Sequence, residues 1–298
     1  NTSVTIQKMA NCYTFLFFRK VVLFMKIGVQ LYSVRTDLDQ DFEGTLKAVS
    51  ELGYDGVEFA GLCGKTPIEV AELCKKYNLE PISAHVPFVT LNGDTEKVMA
   101  DYAAIGCKFI VIPYLPPELR PGTEGFKEVL DNAERIGKAA KEKGMTLLYH
   151  NHDFEFQKVA DEYALDLIYR TVPAEYLQTE IDTCWVNVAG VNPADYVRKY
   201  SGRSPVVHLK DFYKKDGAAT GNMYKLIGLD DDKEDDSANE TFSFRPLGEG
   251  MQDVQTLVDA AKDAGAGWVI VEQDEPWNNM TRMDSIKTSM EHLKTLKF

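Results

Sequence analysis

The stretch Thr146-Leu-Leu-Tyr-His150, with its continuation Asn151-His-Asp-Phe-Glu-Phe156, shows the pattern on which the prediction of the fold depends. A short apolar run is followed at once by a cluster of polar, titratable side chains. Short, nearly continuous apolar runs are typical of strands that are buried on both faces. The polar residues that follow would then lie at the carboxyl end of a strand, where parallel α/β folds place their functional groups.

The same pattern recurs along the chain, and each time a helix-like segment follows. Signals for helix ends delimit these segments: Thr66-Pro-Ile-Glu69 has the form of a capping box, Asn192 precedes Pro193, and Gly53 follows a helical run. Eight strand–helix units between residues 25 and 298 predict a single α/β domain, a (β/α)8 TIM barrel, for which about 250 residues is typical. The predicted strands cover residues 27–31, 56–59, 81–86, 109–114, 146–150, 177–182, 206–210 and 268–272.

An open, doubly wound parallel sheet is the alternative architecture. That fold places a glycine-rich phosphate-binding turn directly after its first strand. Here Gly28-Val-Gln30 is followed by Leu-Tyr-Ser-Val-Arg, which contains no such turn. The closed barrel therefore fits the sequence better.

Composition narrows the class of protein. The chain has 298 residues, 44% of them hydrophobic and 27% charged, which is typical of a globular protein. The formal charge of 33 − 46 = −13 disfavours sequence-independent binding to nucleic acid, because an acidic surface repels phosphates. Five cysteines without metal-ligand spacing indicate free thiols in a reducing compartment, so we expect a cytoplasmic protein. They are Cys12, Cys63, Cys74, Cys107 and Cys184.

Two segments differ from the rest of the chain. Residues 1–24 carry three basic residues and no acid, and Arg19-Lys20 interrupts their apolar run, so they predict neither a bilayer span, which needs about 20 apolar residues, nor a signal peptide. We interpret them as an N-terminal extension outside the fold, with a docking segment as the alternative. Residues 213–244 are predicted to form a polar, acidic insertion, in which the run Asp230-Asp-Asp-Lys-Glu-Asp-Asp236 is interpreted as a solvated surface loop.

Histidines concentrate at the ends of the predicted strands. His85, His150, His152 and His208 all fall there, and only His292 lies in a helix. One such histidine is usually structural. Four of five at a single barrel mouth indicate a functional site, because the carboxyl ends of barrel strands converge on the active site.

Carboxylates follow the same distribution. Glu58, Asp182 and Glu272 each end an otherwise apolar run, where an unpaired buried charge is costly. A salt bridge inside the barrel is the alternative for any one of them. Asp182, His208 and Glu272 end three consecutive strands, and this mixed set of carboxylate and imidazole predicts one divalent metal ion, namely Mn, Co, Zn or Mg.

These motifs together resemble the sugar phosphate isomerase/epimerase superfamily, whose members have a xylose isomerase-like TIM barrel. The resemblance extends from Met25 to the C-terminus. The order of the motifs along the strands is specific for the superfamily but not for a substrate. The motifs are Gly28-Val-Gln-Leu-Tyr32, Gly53-Tyr-Asp-Gly-Val-Glu58, Ser83-Ala-His85, Tyr149-His-Asn-His-Asp-Phe-Glu-Phe156, Ile181-Asp-Thr183, His208-Leu-Lys-Asp211, Gly248-Glu-Gly250 and Val271-Glu272.

The resemblance implies a metal site with ligands from strands five to eight. Members of the superfamily typically use Glu, Asp, His and Glu, and Asp182, His208 and Glu272 match the last three. Where many relatives have glutamate, this chain has His150, so His150 is assigned as the first ligand. Tyr149, in a register shifted by one residue, and Glu155 stay open as alternatives.

The resemblance also implies roles for neighbouring residues. His152 is the expected base that removes a proton, Glu272 is a ligand and a possible second acid/base, and Lys210 would stabilise a developing oxyanion. A salt bridge between Lys210 and Asp211 at the barrel rim is the alternative for that lysine. Residues expected to bind the hydroxyls or the apolar face of a sugar are Glu58, His85, Glu155 and Trp185.

The implied activity is that of a metal-dependent sugar isomerase or epimerase. Its first step would remove a proton α to a carbonyl of a ketose or keto-sugar, through an enediolate. Because His150 replaces a glutamate, a lyase or dehydratase of the inosose dehydratase or 3-keto-glycoside-cleaving type is the alternative, and a non-catalytic sugar-binding barrel is a third option. The DNA-cleaving branch of the fold is disfavoured by the net charge and by the small number of histidines. We expect a small, unphosphorylated substrate, no nucleic acid and no membrane, and the resemblance leaves a homo-oligomer open.

Overall fold

The computed structural model describes residues 25–215, 223–227 and 241–298. The proposed extension 1–24 lies outside these ranges, as does the acidic run 230–236. Within the described ranges, no helix is long and apolar enough to cross a membrane.

Eight parallel strands form one barrel, in the order β3-β2-β1-β8-β7-β6-β5-β4. The barrel is completed between β3 and β4, where Val86 N donates to Val111 O at 3.0 Å and His85 forms a parallel bridge with Val111. The predicted TIM barrel is confirmed. The strands are β1 Lys26–Gln30, β2 Gly56–Phe59, β3 Glu80–Ala84, β4 Phe109–Ile112, β5 Thr146–His150, β6 Leu177–Asp182, β7 Val206–Leu209 and β8 Trp268–Val271.

Helices connect successive strands and surround the barrel. The predicted signals lie at their ends: Thr66 and Glu69 form a capping box, the Asn192 side chain accepts from Asp195 N, and Gly53 ends its helix with a φ of 98°. The helices are α1 Arg35–Gln40, α2 Phe42–Leu52, α3 Pro67–Lys76, α4 Phe88–Gly93, α5 Thr95–Ile105, α6 Phe126–Glu142, α7 Ala164–Thr171, α8 Thr183–Val188, α9 Pro193–Lys199, α10 Met223–Leu226, α11 Val254–Ala264 and α12 Arg282–Leu293.

Two antiparallel pairs of short strands lie outside the barrel sheet. Lys158–Val159 pairs with Glu162–Tyr163, and Asp211–Lys214 pairs with Phe242–Arg245. The second pair joins the two ends of the predicted polar insertion 213–244. Phe242 and Phe244 are buried there, so the described end of this stretch packs into the molecule as a strand.

The lower half of the barrel interior is an apolar layer that contains Ile82, Val111, Leu148, Val206 and Ile270. Glycine on two adjacent strands makes room for Ile82. A Cβ on Gly28 would lie 2.4 Å from Ile82 Cδ1, and a Cβ on Gly56 would lie 2.9 Å from Ile82 Cγ1. Tight packing of this layer supports the polar end of the barrel above it.

We predict that Gly28→Ala destabilises the protein by about 1–3 kcal/mol, because its methyl group overpacks this layer. Ile82→Val removes the Cδ1 atom that causes the clash, and alone it should cost about 0.5–1.5 kcal/mol. The free energy of unfolding from urea titration should therefore fall less in the double variant than the sum of the two single changes. Gly93→Ala is the control, since its Cβ meets nothing within 4 Å. Strict additivity would contradict the packing argument.

Candidate active site

The four predicted metal ligands converge at the carboxyl end of the barrel. His150 ends β5, Asp182 ends β6, His208 lies on β7 and Glu272 directly follows β8. One potential ligand atom from each lies within 4.8 Å of the others, and all four side chains are buried. Four strands that are consecutive in the barrel thus supply two carboxylates and two imidazoles that could hold one cation.

Asp182 is oriented by the start of the next helix. Its Oδ1 accepts from Cys184 N at 2.8 Å and from Trp185 N at 3.1 Å, which caps α8. Its other oxygen, Oδ2, is buried and makes no hydrogen bond to a described residue. That oxygen lies 3.6 Å from His150 Nε2 and 3.8 Å from Lys210 Nζ. A buried carboxylate oxygen without a hydrogen bond is costly, and a cation at this point would satisfy it.

The direction of side chains on β5 selects among the alternatives for the first ligand. Tyr149 is oriented away from the ligand cluster, and its hydroxyl donates to Glu155 Oε1 at 2.7 Å. Glu155 Oε2 accepts from His152 N at 2.9 Å. Because neighbouring residues of a strand face opposite sides, His150 is the residue that enters the barrel. Tyr149 and Glu155 stand behind it, outside the ligand cluster.

A second polar layer lies directly below the ligands. His85 Nε2 lies 2.7 Å from Glu180 Oε1 and 3.0 Å from Glu58 Oε1. Glu180 was not among the predicted site residues. Strand alternation could have found it, since Glu180 and Asp182 are two residues apart and must share the interior face. Glu58, a predicted sugar-binding residue, belongs to this lower layer and is fully buried.

The lower layer contacts one ring nitrogen of each ligand histidine. His150 Nδ1 lies 3.2 Å from Glu180 Oε1, and His208 Nε2 lies 2.8 Å from Glu58 Oε1. If these nitrogens carry the protons, His150 Nε2 and His208 Nδ1 present lone pairs to the ligand cluster. His208 Nδ1 is only 3.1 Å from Glu272 Oε2, so a cation, either a proton or a metal ion, must separate these two acceptors. Such contacts orient metal-binding histidines in general.

Lys210 supplies the positive charge beside the ligands. Its Nζ lies 3.3 Å from Glu272 Oε2 and forms an ion pair with Asp274, a residue that the sequence did not single out. Burial opposes the charged ammonium, but Asp274 and Glu272 raise the pKa of Lys210 above its ordinary value. Lys210 is therefore a fixed cation at the site.

The alternative salt bridge between Lys210 and Asp211 is not present. The Asp211 carboxylate accepts instead from backbone N–H groups of Phe212, Gly248, Gly250 and Gln252, at 2.9 to 3.1 Å. Asp211 thereby stabilises the loop that follows the Phe242–Arg245 strand. The backbone N–H groups of this irregular segment need an acceptor, and the carboxylate provides it. Asp211 is thus turned away from the Lys210 ammonium.

His152 lies in an aromatic pocket beside the ligands. Its ring centroid is 5.0 Å from that of Trp185 and 5.2 Å from that of Tyr114, and it stacks on Phe154 at 5.7 Å. Burial, and then the charge of Lys210, lower the pKa of His152 well below its ordinary value, so the ring is neutral. Its Nδ1 makes no hydrogen bond to a described residue. His152 is thus a neutral imidazole with a free nitrogen.

A cavity of about 660 Å³ opens over these groups. Five predicted site residues line it, while Glu58, Glu155, Trp185, Asp182 and His208 do not. Trp185 was predicted to contact a sugar. In the structure it is fully buried behind His152 and supports that ring. The predicted residues that line the cavity are His85, His150, His152, Lys210 and Glu272.

With the fold and the ligand cluster described, comparison with known proteins identifies the class. Residues 46–296 match the family described as xylose isomerase-like TIM barrel, and the chain belongs to that family. Among curated relatives, the inosose dehydratase of Mesomycoplasma hyopneumoniae is 23% identical over 285 residues, which cover 87% of this chain and 89% of the relative.

Solved structures agree on the fold. A sugar phosphate isomerase/epimerase from Parabacteroides distasonis superposes with a TM-score of 0.69 at 19% identity, covering 92% of this chain and 95% of that one. The IolI protein, solved with a bound zinc atom, superposes with a TM-score of 0.67 at 16% identity, covering 91% and 97%. The relatives thus include isomerases or epimerases and a dehydratase, and the superfamily resemblance expected from the sequence is confirmed.

We predict that Glu180→Gln weakens metal binding about 10- to 100-fold, because it removes the carboxylate that faces the ring nitrogens of both ligand histidines. The amide is nearly the same size, so the barrel should stay folded. Titration calorimetry with Zn²⁺ or Mn²⁺ would measure the affinity. Glu80→Gln, at the exposed start of β3, is the matched control and should bind like the parent. Unchanged affinity in Glu180→Gln would show that the lower layer does not act on the ligands.

Proposed function

We propose that this protein is a divalent-metal-dependent enzyme that removes a proton α to the carbonyl of a keto-sugar or keto-polyol. One observation carries the proposal: two residues of the ligand cluster, His150 and Glu272, line the same cavity as His152 and Lys210. A metal ion held by His150, Asp182, His208 and Glu272 would act as a Lewis acid on the carbonyl and an adjacent hydroxyl. Half of these ligands are imidazoles, which favours a transition metal such as Zn over Mg.

The chain's own residues support the proton transfer. His152 is the proposed base, since its unpartnered Nδ1 can accept a proton from substrate carbon. Lys210, held by Asp274 and Glu272, would stabilise the negative charge that develops on the substrate oxygen. Trp185 and Phe154 hold the His152 ring in place. Glu272 stands beside Lys210 as a ligand and a second acid/base.

Two reactions can follow this first step. Return of the proton to another position or face gives an isomerase or epimerase, and loss of a β-substituent gives a lyase. We favour a lyase of the dehydratase type for two reasons. Proton exchange between two opposed carboxylates would need a second carboxylate at the end of β5, where this chain has the imidazole of His150. In addition, inosose dehydratases are among the relatives. The isomerase or epimerase is the second candidate, supported by the structural neighbours.

The substrate is proposed to be small and unphosphorylated. Lys210 is the sole lysine or arginine among the described residues that line the cavity, and it is already paired with carboxylates. A phosphate group needs several donors or a free cation. Cys63, Cys74, Cys107 and Cys184 are free, in line with the proposed cytoplasmic location. A homo-oligomer stays a prediction.

We predict that Asp182→Asn abolishes proton exchange while the fold is kept. The Asn side-chain oxygen can replace Oδ1 in the cap of α8, but its amide group cannot replace Oδ2 as a ligand. Exchange of the α-hydrogen with deuterium oxide, followed by NMR over ketoses, inososes and 3-keto-glycosides, should fall at least 100-fold, and one metal equivalent should be lost.

Asp253→Asn is the matched control, because the Asp253 side chain also caps a helix, α11, but does not line the cavity. It should exchange at the parental rate. The proposal is abandoned if Asp182→Asn keeps full exchange activity. The products of the parent protein identify the second step, since a lyase releases a β-substituent and an isomerase does not.

We predict a different outcome for His152→Gln, which removes the base but no metal ligand. Proton exchange should fall by about 10²- to 10⁴-fold, the usual contribution of a general base. Metal content, measured by plasma emission spectrometry, should stay at the parental value. Loss of metal together with exchange would instead assign His152 a role at the ligand cluster.

A further inference from the structure

The cavity has two chemically distinct halves. One half holds the charged and imidazole side chains described above. The other half, here called the apolar half, is lined by Val86, Pro87, Val89, Pro113, Pro116 and Ile227. Both belong to one continuous cavity of about 660 Å³, within the range of sites that bind drug-sized ligands.

The barrel topology creates the apolar half. Val86, Pro87 and Val89 directly follow β3, while Pro113 and Pro116 directly follow β4. Because β3 and β4 are neighbours in the barrel, these two segments form one wall beside His85 and His152. Ile227 also lines the cavity, and its carbonyl accepts from Tyr32 OH at 3.0 Å, which joins it to the short 3-10 turn that follows β1.

The chemistry of this wall does not suit a polyol. A sugar ring carries hydroxyls around its circumference, and each loses hydrogen bonds with water when it is buried against a wall without donors. The six side chains of the apolar half offer no polar atom, although Thr90 and Tyr114, which carry hydroxyls on the same two segments, also line the cavity. Val89 is 63% exposed, so its side chain is accessible to a bound apolar group.

We propose that the substrate carries an apolar substituent about the size of an arene, which occupies the apolar half while its keto-sugar part lies at the ligand cluster. The substrate class would be a keto-glycoside with an apolar aglycone. This inference rests on the proposed function for the position of the sugar. The inference concerns the substituent of the substrate, which the residues proposed to react with the sugar do not contact.

Paired ligands test the inference. Methyl and phenyl β-D-glucopyranoside differ only in the substituent, and they bind without a reactive ketone. Titration calorimetry with the metal-loaded protein should show at least tenfold tighter binding of the phenyl compound, with a more negative heat-capacity change from apolar burial. Equal affinities, or no binding of either compound, would overturn the inference.

Substitutions test whether the side chains of the apolar half cause the preference for the phenyl compound. Val89→Asn should reduce the phenyl preference below threefold and leave methyl glucoside binding unchanged. Ile68→Asn is the matched control, because Ile68 is 68% exposed on α3, outside the cavity. It should keep the full preference. A phenyl preference that survives in Val89→Asn would place the apolar contact elsewhere and contradict the proposal.

Failure of this inference is distinguishable from failure of the proposed function. Deuterium exchange is measured in parallel on the 3-keto forms of both glucosides. Exchange of both compounds without a phenyl preference overturns only the apolar half as a substrate subsite. A phenyl preference without exchange of either compound overturns the proposed chemistry on these keto-glucosides and leaves the subsite standing.

Discussion

Charge compensation inside the barrel mouth is the constraint on which the rest of this structure depends. Carboxylates from several strands are fully removed from water there, and each would be costly alone. Burial alone would raise the pKa of Glu58, but His85 and His208 lower it well below its ordinary value. Burial acts on Glu272 in the same way, and Lys210 with His208 lowers its pKa. The imidazoles and the lysine are therefore needed for the fold as well as for the proposed chemistry.

This compensation arranges the polar groups in two layers with different tasks. In the lower layer, Glu58 and Glu180 contact one nitrogen of each ligand histidine, so the opposite nitrogens face the cluster. In the upper layer, the cap of α8 uses one oxygen of Asp182 and leaves the other directed at the same point. Backbone geometry and hydrogen bonds thus prepare the site before any ion is bound, which is how metal sites gain affinity and orientation.

The cavity above these two layers is the space in which a substrate is proposed to bind. Its polar half holds a neutral histidine and a lysine fixed by carboxylates, a pair suited to proton removal beside a developing oxyanion. Its apolar half is built from the segments that follow β3 and β4, which contribute few of the proposed reacting groups. Loops at the barrel mouth can vary in this way without changing the strands, so they are the part of a barrel that can adapt to a substrate.

The sequence by itself determined the eight strand–helix units, the helix caps and three of the proposed ligands, Asp182, His208 and Glu272, because apolar periodicity and polar strand ends are local features. For the first ligand it offered His150, with Tyr149 and Glu155 as alternatives. Alternation along β6 could also have indicated Glu180. Only the tertiary structure decided that Glu155 accepts from the backbone of His152, that Trp185 packs against the His152 ring, and that Asp274 pairs with Lys210. These relations join residues far apart in the chain, and their distances depend on strand register and barrel closure, which no local pattern encodes.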